Sequence, residues 1–461
     1  YLDVSARNDW SSTLSEENRS YLYNSASLSL ILNQFIDPSQ EIFNLIKLRG
    51  SIAEVGNDTD PYQLYQTFNL PGKGYLGLTT VGSPSTKLNS DLKPETVTST
   101  EFGLELSMLD NRLGIDISIY DITTTDLIFN LPVPAATGYR FSKTNIGEVQ
   151  NKGLEINING SIIDSGNLSW NSNLFYSKNE NKIIELAEGL DGFQFNGSTQ
   201  GGVSIRANLD GSIGDIYART NTGTVTIDGI PVASAQPDEF IGNAQPDALV
   251  GWSNQLSYKD FSLNFLIDAR IGGKVFSQTS AALDRDGVSK RSLQYRESGI
   301  LVDATVADSD DVNTKSITAQ EYWQAMADVS ANYVYNQDNV RLRELSIGYQ
   351  LPSMPKLGIE SAAIQLVGRN LFFFSKDAED IDPETMLGTT LGIQGISENQ
   401  LPTTKSIGLN LSLGSRISSK GFGNKRAFGF VTITESLFAT TTLSSFLRCP
   451  SISIIFAVGP N

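Results

Sequence analysis

The chain contains no histidine, a single cysteine (Cys449), and no apolar run of the roughly 18 or more residues that a membrane-spanning helix needs. Without histidine, this chain cannot supply a Ser-His-Asp triad, a histidine general base or a histidine-rich metal site. One cysteine excludes an intramolecular disulfide framework. A membrane β-barrel stays possible, because its strands are only about ten residues long and alternate in polarity.

Basic residues are scarce relative to acidic ones. The 34 lysines and arginines against 51 aspartates and glutamates give a net charge of −17, which argues against nucleic acid as the main partner. The length of 461 residues suggests several domains or one large β architecture. Because the first residue is not methionine, we expect a fragment or a processed product.

The stretch from Thr100 to Asp121 alternates between apolar and other residues on both sides of Asp110-Asn111. Period-two alternation predicts a β-hairpin with one apolar face, and Asp110-Asn111 suits its turn. A two-residue turn places Glu105 opposite Asp116 on the other face, where like charges are unfavourable. That face must therefore meet water, counter-ions or a basic partner. The apolar face could be covered by a second sheet or by lipid.

Similar patterns predict twelve strands. They lie near 1–8, 21–32, 45–56, 98–109, 112–124, 149–162, 167–180, 246–258, 261–274, 340–351, 361–372 and 403–413. From the third strand onward, short turns alternate with long segments, which are 57–97, 125–148, 181–245, 275–339 and 373–402. Outer-membrane barrels sort their loops in this way, with short periplasmic turns and long extracellular loops.

Seven segments carry a family resemblance. They are YLDVSARNDWSSTL (1–14), KLRGSIAEVGNDTDPYQLY (47–65), LKPETVTSTEFGLE (92–105), NIGEVQNKGLEI (145–156), VRLRELSIGYQLP (340–352), GRNLF (368–372) and TKSIGLNLSL (404–413). In this order, they resemble the SusC/RagA-type TonB-linked outer-membrane proteins of Bacteroidetes. The resemblance covers about 1–413.

The resemblance implies an all-β fold, namely the last twelve antiparallel strands of a 22-stranded transmembrane β-barrel. The plug domain, the motif that engages TonB and the earlier strands are not in this sequence. The implied function is outer-membrane uptake of glycan or peptide nutrients, energised through the TonB complex. The implied partners are a SusD-like surface lipoprotein, outer-membrane lipid and an oligosaccharide or peptide ligand. No cofactor, metal or catalytic residue is implied.

The barrel hypothesis predicts which side chains face lipid. They are Phe102, Leu104, Leu106, Ile115, Ile117, Leu263, Phe265, Ile347 and Leu409. Two other functions stay open from the residues alone. One is a soluble, secreted β-sandwich adhesin or carbohydrate-binding module. The other is an acid-dependent hydrolase that uses two carboxylates, although no paired-carboxylate motif favours it.

Candidate substrate-binding residues lie on the predicted lumen face and in the loops. They are Glu101, Glu105, Asp116, Tyr120, Asp268, Arg270, Tyr322 and Trp323. Most have a simpler interpretation: a solvated strand face for Glu101, Glu105 and Asp116, a local charge pair for Asp268 and Arg270, and half-buried loop anchors for Tyr322 and Trp323. The acidic loop 377–384 suggests Ca²⁺ but lacks the spacing of a calcium loop, so a solvated or docking loop is favoured.

The last 47 residues differ in composition from the rest. Residues 415–461 carry a net charge of +4, whereas residues 1–414 carry −21, and the only cysteine lies in this tail. We therefore expect the barrel to occupy 1–414. The tail 415–461 is expected to be out of frame or a read-through product, extended or disordered, with few contacts to the sheet. The alternative is a genuine accessory domain, for which 47 residues is short.

Overall fold

The structure is a computed structural model of the chain. It describes residues 1–35, 42–68, 70, 78–195, 201–357, 359–378, 380–388, 392–418, 428–440 and 447–455, with the backbone alone after Gly414.

Most of the described chain is β-strand. The strands are β1 Leu2–Trp10, β2 Ser20–Ile31, β3 Phe43–Asn57, β4 Thr86–Lys87, β5 Glu95–Met108, β6 Leu113–Pro132, β7 Phe141–Ser165, β8 Leu168–Glu185, β9 Gly192–Gln194, β10 Val203–Asn208, β11 Asp215–Ala218, β12 Asn221–Val225, β13 Pro231–Ala233, β14 Glu239–Asn243, β15 Ala248–Tyr258, β16 Phe261–Ile271, β17 Lys274–Ser277, β18 Ile300–Leu301, β19 Thr305–Val306, β20 Ser316–Ile317, β21 Val334–Asn336, β22 Asn339–Leu351, β23 Ile359–Lys376, β24 Ile396–Ser397, β25 Ser406–Ser418, β26 Phe428–Thr440 and β27 Leu447–Ile455.

Two short α-helices lie in the loops, α1 Gln278–Arg285 and α2 Ala319–Ala327. Single 3-10 turns occur at Leu32–Gln34, Ala135–Thr137, Arg291–Leu293, Ser330–Tyr333 and Pro355–Leu357. Neither α-helix of the described residues is long and apolar enough to cross a membrane.

One large sheet organises the molecule. Its antiparallel strand order is β1-β2-β3-β5-β6-β7-β8-β15-β16-β22-β23-β25-β26-β27. All twelve predicted strands are present in it, and the predicted hairpin register is confirmed. Met108 pairs with Leu113, and Glu105 lies opposite Asp116. Because consecutive strands alternate in direction, the long connections all lie at one end of the sheet, the loop end, and the short turns at the other.

The sheet has one apolar and one polar face, as the alternation predicts. On the apolar face Phe102 is 59% exposed, Ile347 51% and Leu409 41%. Leu104 and Leu106 of β5 pair with Ile117 and Ile115 of β6 on this face. Within the described ranges no second sheet packs over it, so the β-sandwich alternative is wrong.

The hydrophobic core lies in the loops rather than in the sheet. Side chains from β10, β11, β17 and β24 form its centre, and Val203, Ile205, Ile216, Phe276 and Ile396 are fully buried there. This core packs against Val149 and Ile183 at the loop end of the polar face. The long connections are therefore a packed unit with four small sheets of their own.

The segment 125–148, predicted as a long loop, is mostly strand. β6 and β7 continue to Pro132 and from Phe141, so the connection shrinks to 133–140. Leu127 and Phe129 pack against the loop core, which provides a reason to prolong the hairpin beyond the rest of the sheet. The alternation of polar and apolar residues along the sequence cannot predict this tertiary contact.

The tail was expected to make few contacts with the sheet, and for its described part this expectation is wrong. β25 continues past Gly414 to Ser418, and β26 pairs with it from Ser406↔Thr440 to Ser418↔Phe428. β27 then pairs with β26. An open edge strand has unpaired backbone N–H and C=O groups, with which any extended segment can pair. The tail supplies such a segment, β26, to the edge of β25. Its out-of-frame origin stays a prediction, and residues 419–427, 441–446 and 456–461 lie outside the described residues.

Candidate functional site on the polar face

A five-residue charge cluster lies where β3, β5 and β6 meet on the polar face. Its members are Lys47, Arg49, Glu101, Glu105 and Asp116, and we call it the β3–β6 charge cluster. Arg49 binds Asp116 with two parallel N–H···O bonds of 2.6 and 2.7 Å. It also lies 3.7 Å from Glu101, and Lys47 Nζ donates to Glu105 at 3.0 Å. The positive charge that the facing carboxylates require is therefore supplied by Lys47 and Arg49 of β3, the neighbouring strand of the same sheet.

Gly103 makes this arrangement possible. It pairs with Arg49 across β3 and β5, and the arginine side chain lies across it toward β6. A Cβ at position 103 would overlap the guanidinium. The Arg49 side chain also donates to the Ser118 hydroxyl, so its orientation is fixed from both sides. Of the predicted site residues, Glu101, Glu105 and Asp116 thus belong to a paired cluster rather than to a freely solvated face.

Tyr120 lies beside this cluster on the same face. Its ring covers Gly153 of β7, where a Cβ would collide with it, and its hydroxyl donates to Asn179 Oδ1 at 3.1 Å. The Tyr120 side chain reaches across β7 to Asn179 of β8, because Gly153 has no side chain in its path. Tyr120 is therefore held in place and presents a ring edge and a hydroxyl to the polar side.

Toward the short-turn end, the polar face is lined by amides. A cavity of about 560 Å³ lies against Asn159, Asn171, Asn173, Gln255 and Asn264. Asn173 Oδ1 is buried there without a hydrogen-bond partner. Neutral amides donate and accept hydrogen bonds, and Arg112 and Glu344 add one charge of each sign to the lining, so this wall suits a polar surface or ligand.

At the loop end, two arginines of β22 hold an acidic turn of the loop between β23 and β25. We call this group, Arg341 and Arg343 with Asp268, Asp382 and Glu384, the arginine cradle. Arg343 binds Asp268 at 2.6 Å and Glu384 at 2.6 Å. Arg341 is 2% exposed and binds Glu384 at 2.8 Å. The acidic loop therefore docks on this chain's own arginines.

The predicted pairing of Asp268 with Arg270 is not formed. Asp268 pairs instead with Arg343, because a bulge in β22 brings that arginine over it. Arg270 donates to the backbone oxygen of Ala244 at 2.8 Å, and its Nε has no partner. Spacing by two residues placed both on one face, but the neighbouring strand offered a better-aligned cation.

The acidic loop shows no metal geometry in its described part. Across the described residues, no three Asp, Glu, Cys or His side chains converge as metal ligands would. Asp382 accepts from Thr403 N at 3.0 Å, and Glu384 is held by arginines. Glu379 lies outside the described residues.

Tyr322 and Trp323 lie in α2, away from both charge clusters. Tyr322 contacts Tyr295 and Trp323 edge-on, with ring centroids 5.3 and 5.2 Å apart. Both residues are half-buried, and burial raises the pKa of the Tyr322 hydroxyl. This placement agrees with loop anchors, and the structure brings them near none of the other predicted site residues.

Sequence reasoning missed the basic half of both clusters. Lys47 and Arg49 are two apart in β3, and Arg341 and Arg343 are two apart in β22, so alternation could have placed each pair on the polar face. It could not have named their partners. Glu384 was singled out only as part of an acidic loop.

A family model described as "TonB dependent receptor-like, beta-barrel" matches residues 1–359. The chain belongs to this family. The TonB-dependent receptor P3 of Formosa agariphila is 28% identical over 418 residues, which cover 82% of this chain and 40% of that protein. The TonB-dependent receptor SusC of Bacteroides thetaiotaomicron is 23% identical and covers 88% and 41%.

Among solved structures, a chain of the RagAB peptide transporter matches with a TM-score of 0.69 and 20% identity, covering 89% of this chain and 45% of that one. That match shows the fold. The family resemblance and the all-β barrel fold predicted from the sequence are thereby confirmed. This TonB-dependent receptor-like chain spans less than half the length of the relatives it matches.

Proposed function

We propose that the chain is the C-terminal barrel portion of an outer-membrane transporter that takes up glycan or peptide nutrients. The observation that carries this proposal is the two-faced sheet, which exposes apolar side chains on one face and pairs charges on the other. A soluble receptor of this size would cover such an apolar face, because contiguous exposed apolar patches are rarely so large.

The height of the apolar band supports insertion into a bilayer. Along β7 the apolar residues run from Leu154 to Ile162, and Lys152 begins a charged row above them. The row continues with Asp121 of β6 and Glu180 of β8. A band of about nine residues is close to the 9–11 that a tilted transmembrane strand needs.

The polar face would then line the lumen, and the packed loops would cover its extracellular mouth. Recognition on loops held by a rigid scaffold is the common arrangement. The loop core described above makes these connections ordered enough to bind a ligand or a partner. Tyr322 and Trp323 belong to this unit. They are therefore candidates for contact with a ligand or partner at the loops rather than within the lumen.

The energy source for transport and the partner proteins are inferred from the family. We infer coupling to the TonB complex through a region that lies outside this sequence, and a SusD-like surface lipoprotein above the loop end. The match to a transporter named for peptides supports a peptide ligand, and the resemblance of the sequence to the SusC/RagA-type family leaves an oligosaccharide equally open. Neither hydrolysis nor a cofactor enters this proposal.

Membrane insertion is tested by an arginine scan of the two faces. Leu104→Arg puts a charge in the apolar band and should destabilise the folded protein in bilayers by about 2–4 kcal/mol. Ser107→Arg on the polar face of the same strand is the control and should cost little. Equal costs at the two positions would contradict the assignment of the apolar face to lipid.

Transport is tested by accumulation of labelled oligosaccharides and oligopeptides in cells that carry the assembled protein. Uptake should stop when TonB is removed, while surface binding persists. Binding that is equal with and without TonB, with no accumulation in either case, would favour an adhesin instead.

A further inference from the structure

The arginine cradle already holds one carboxylate in full. Glu384 Oε1 accepts from Arg343 Nη2 at 2.6 Å, and Oε2 accepts from Arg343 Nη1 at 2.9 Å and Arg341 Nη1 at 2.8 Å. Three charge-assisted hydrogen bonds on one carboxylate, two of them a parallel pair from a single guanidinium, form a geometry specific for carboxylates.

The cradle is rigid without help from Glu384. The Arg341 guanidinium stacks 4.5 Å from the centre of the Phe373 ring and donates to the Thr403 hydroxyl. Arg343 donates through Nε to Asp268 at 2.7 Å and through Nη1 to Asn370 Oδ1 at 3.2 Å. Because the arginines are fixed by other contacts, a different carboxylate would find the same donors in place.

A cavity of about 740 Å³ adjoins the cradle, and Arg341 lines it. Arg341 is 2% exposed, and its Nε is buried without a hydrogen-bond partner. Lys376 and Lys405 add positive charge to the wall, and Asp380 and Asp382 add negative charge. The volume lies within the roughly 300–1,000 Å³ typical of ligand sites.

We propose that the arginine cradle is a carboxylate-recognition site, which Glu384 occupies in the ligand-free chain, and that a ligand carboxylate entering the adjoining cavity exchanges for Glu384. The inference rests on the proposed uptake function and adds a ligand class to it. Exchange keeps the charge balance of the cradle, since one carboxylate leaves as another arrives. Glu384 lies on the loop between β23 and β25, and its side chain is 22% exposed, so it can move into water.

The composition of the cavity wall narrows the ligand. Lys376 and Lys405 are offset in number by Asp380 and Asp382, which leaves Arg341 as the one cation in excess, so the site suits a ligand with one carboxylate on an otherwise neutral body. The C-terminus of a neutral peptide and a single terminal uronic acid on a neutral oligosaccharide both fit that description. The shared chemistry is the carboxylate, and the two sources are separated by experiment.

The test measures binding by calorimetry to the assembled protein in detergent micelles. The probes are a neutral tetrapeptide with a free C-terminus and its C-terminal amide, and a neutral tetrasaccharide with and without one terminal uronic acid. We expect the acid form of one pair to bind and its neutral form to bind at least about tenfold more weakly. The pair that responds identifies the source.

Variants separate exchange from a purely structural ion pair. Glu384→Gln weakens the internal competitor and should tighten binding of the acid probe by about tenfold. Arg343→Lys keeps a cation beside Asp268 and Glu384 but cannot make the parallel pair of N–H···O bonds, so it should weaken binding of the acid probe by at least about tenfold. Glu297→Gln, an exposed loop carboxylate with no ion pair among the described residues, is the matched control and should change nothing.

Unchanged or weaker acid binding in Glu384→Gln would overturn the proposal, as would equal binding of acid and neutral probes. Uptake measured on the same preparations keeps the two proposals distinguishable. TonB-dependent uptake with no preference for the carboxylate would leave the transporter standing and remove the carboxylate site. Carboxylate binding without uptake would leave the carboxylate site standing and remove the transporter.

Discussion

Arg49 is the residue that lets Glu105 and Asp116 stand opposite each other in the β5–β6 hairpin. Arg49→Met keeps most of the aliphatic stem over Gly103 and removes the charge. Asp116 then loses both of its guanidinium bonds, and Lys47 alone is left to offset three carboxylates. We expect the variant to unfold more easily.

The size of the effect follows from the exposure of the pair. The side chain of Arg49 is 30% exposed and that of Asp116 is 37% exposed, so water screens their attraction in part. Exposed pairs contribute about 0–1 kcal/mol, and breaking a fully buried pair costs about 3–5 kcal/mol. A two-bond pair of intermediate burial, with two further acids nearby, should lie between them at about 2 kcal/mol.

The assay is urea unfolding of the assembled protein in detergent micelles. Lys47→Met is the matched control, since it removes a single 3.0 Å contact to Glu105 and should cost under about 1 kcal/mol. Asp116→Asn in the Arg49→Met background should recover part of the loss, because it removes the unpaired charge. If Arg49→Met costs no more than Lys47→Met, or Asp116→Asn recovers nothing, the carboxylates are held by water and not by Arg49.

Three further results are expected. Gly153→Ala should cost about 1–3 kcal/mol because its Cβ would overlap the Tyr120 ring, whereas Gly251→Ala, which has open space, should not; urea unfolding checks both. Burial raises the pKa of the Asp215 carboxyl in the loop unit, so its contribution to stability is present at acid pH and lost as the pH rises through that pKa; Asp215→Asn should gain stability relative to the parent as the pH rises above about 4 in thermal unfolding, and a constant difference would contradict this. Truncation after Ser418 removes β26 from the edge of β25 and should raise the yield of closed barrel when the further strands of the proposed barrel are supplied, measured by heat-modifiable migration on gels; a lower yield would show that the tail supports the sheet.

The strands were predictable because lipid or water on each face imposes strict alternation. The Glu105–Asp116 pairing was predictable too, since a tight turn fixes the register of a hairpin. The partners of these acids were not predictable. β3 and β5 are separated by a connection from Asp58 to Pro94, so no turn sets the register that brings Lys47 opposite Glu105. Charge pairing across such a gap is decided by the whole sheet.

The loop unit escaped prediction for a different reason. Its core forms from short strands of three different loops, namely Val203–Asn208 and Asp215–Ala218 of the first, Lys274–Ser277 of the second and Ile396–Ser397 of the third. Each segment alone is too short to show a period. Only their mutual packing against Val149 and Ile183 makes them a unit. The same packing prolongs β6 and β7 into the region predicted as loop.

The two charge clusters lie along one row of paired residues across the polar face. From β6 to β22 the row is Asp116, Asn157, Phe175, Gly251, Asp268 and Arg341. Asp116 and Asp268 are the arginine-bound carboxylates of this row, and the three positions between them are uncharged. Neighbouring strands lie about 4.8 Å apart, so these two carboxylates, four strands apart, are about 19 Å apart along the sheet, beyond the Debye length at physiological salt. Each cluster holds two basic side chains against three carboxylates, so most of its charge is offset locally, and salt screens the remaining charge from the other cluster. The net charge of −17 thus says little about the potential along this face, and an acidic chain can hold an arginine site for an acidic ligand.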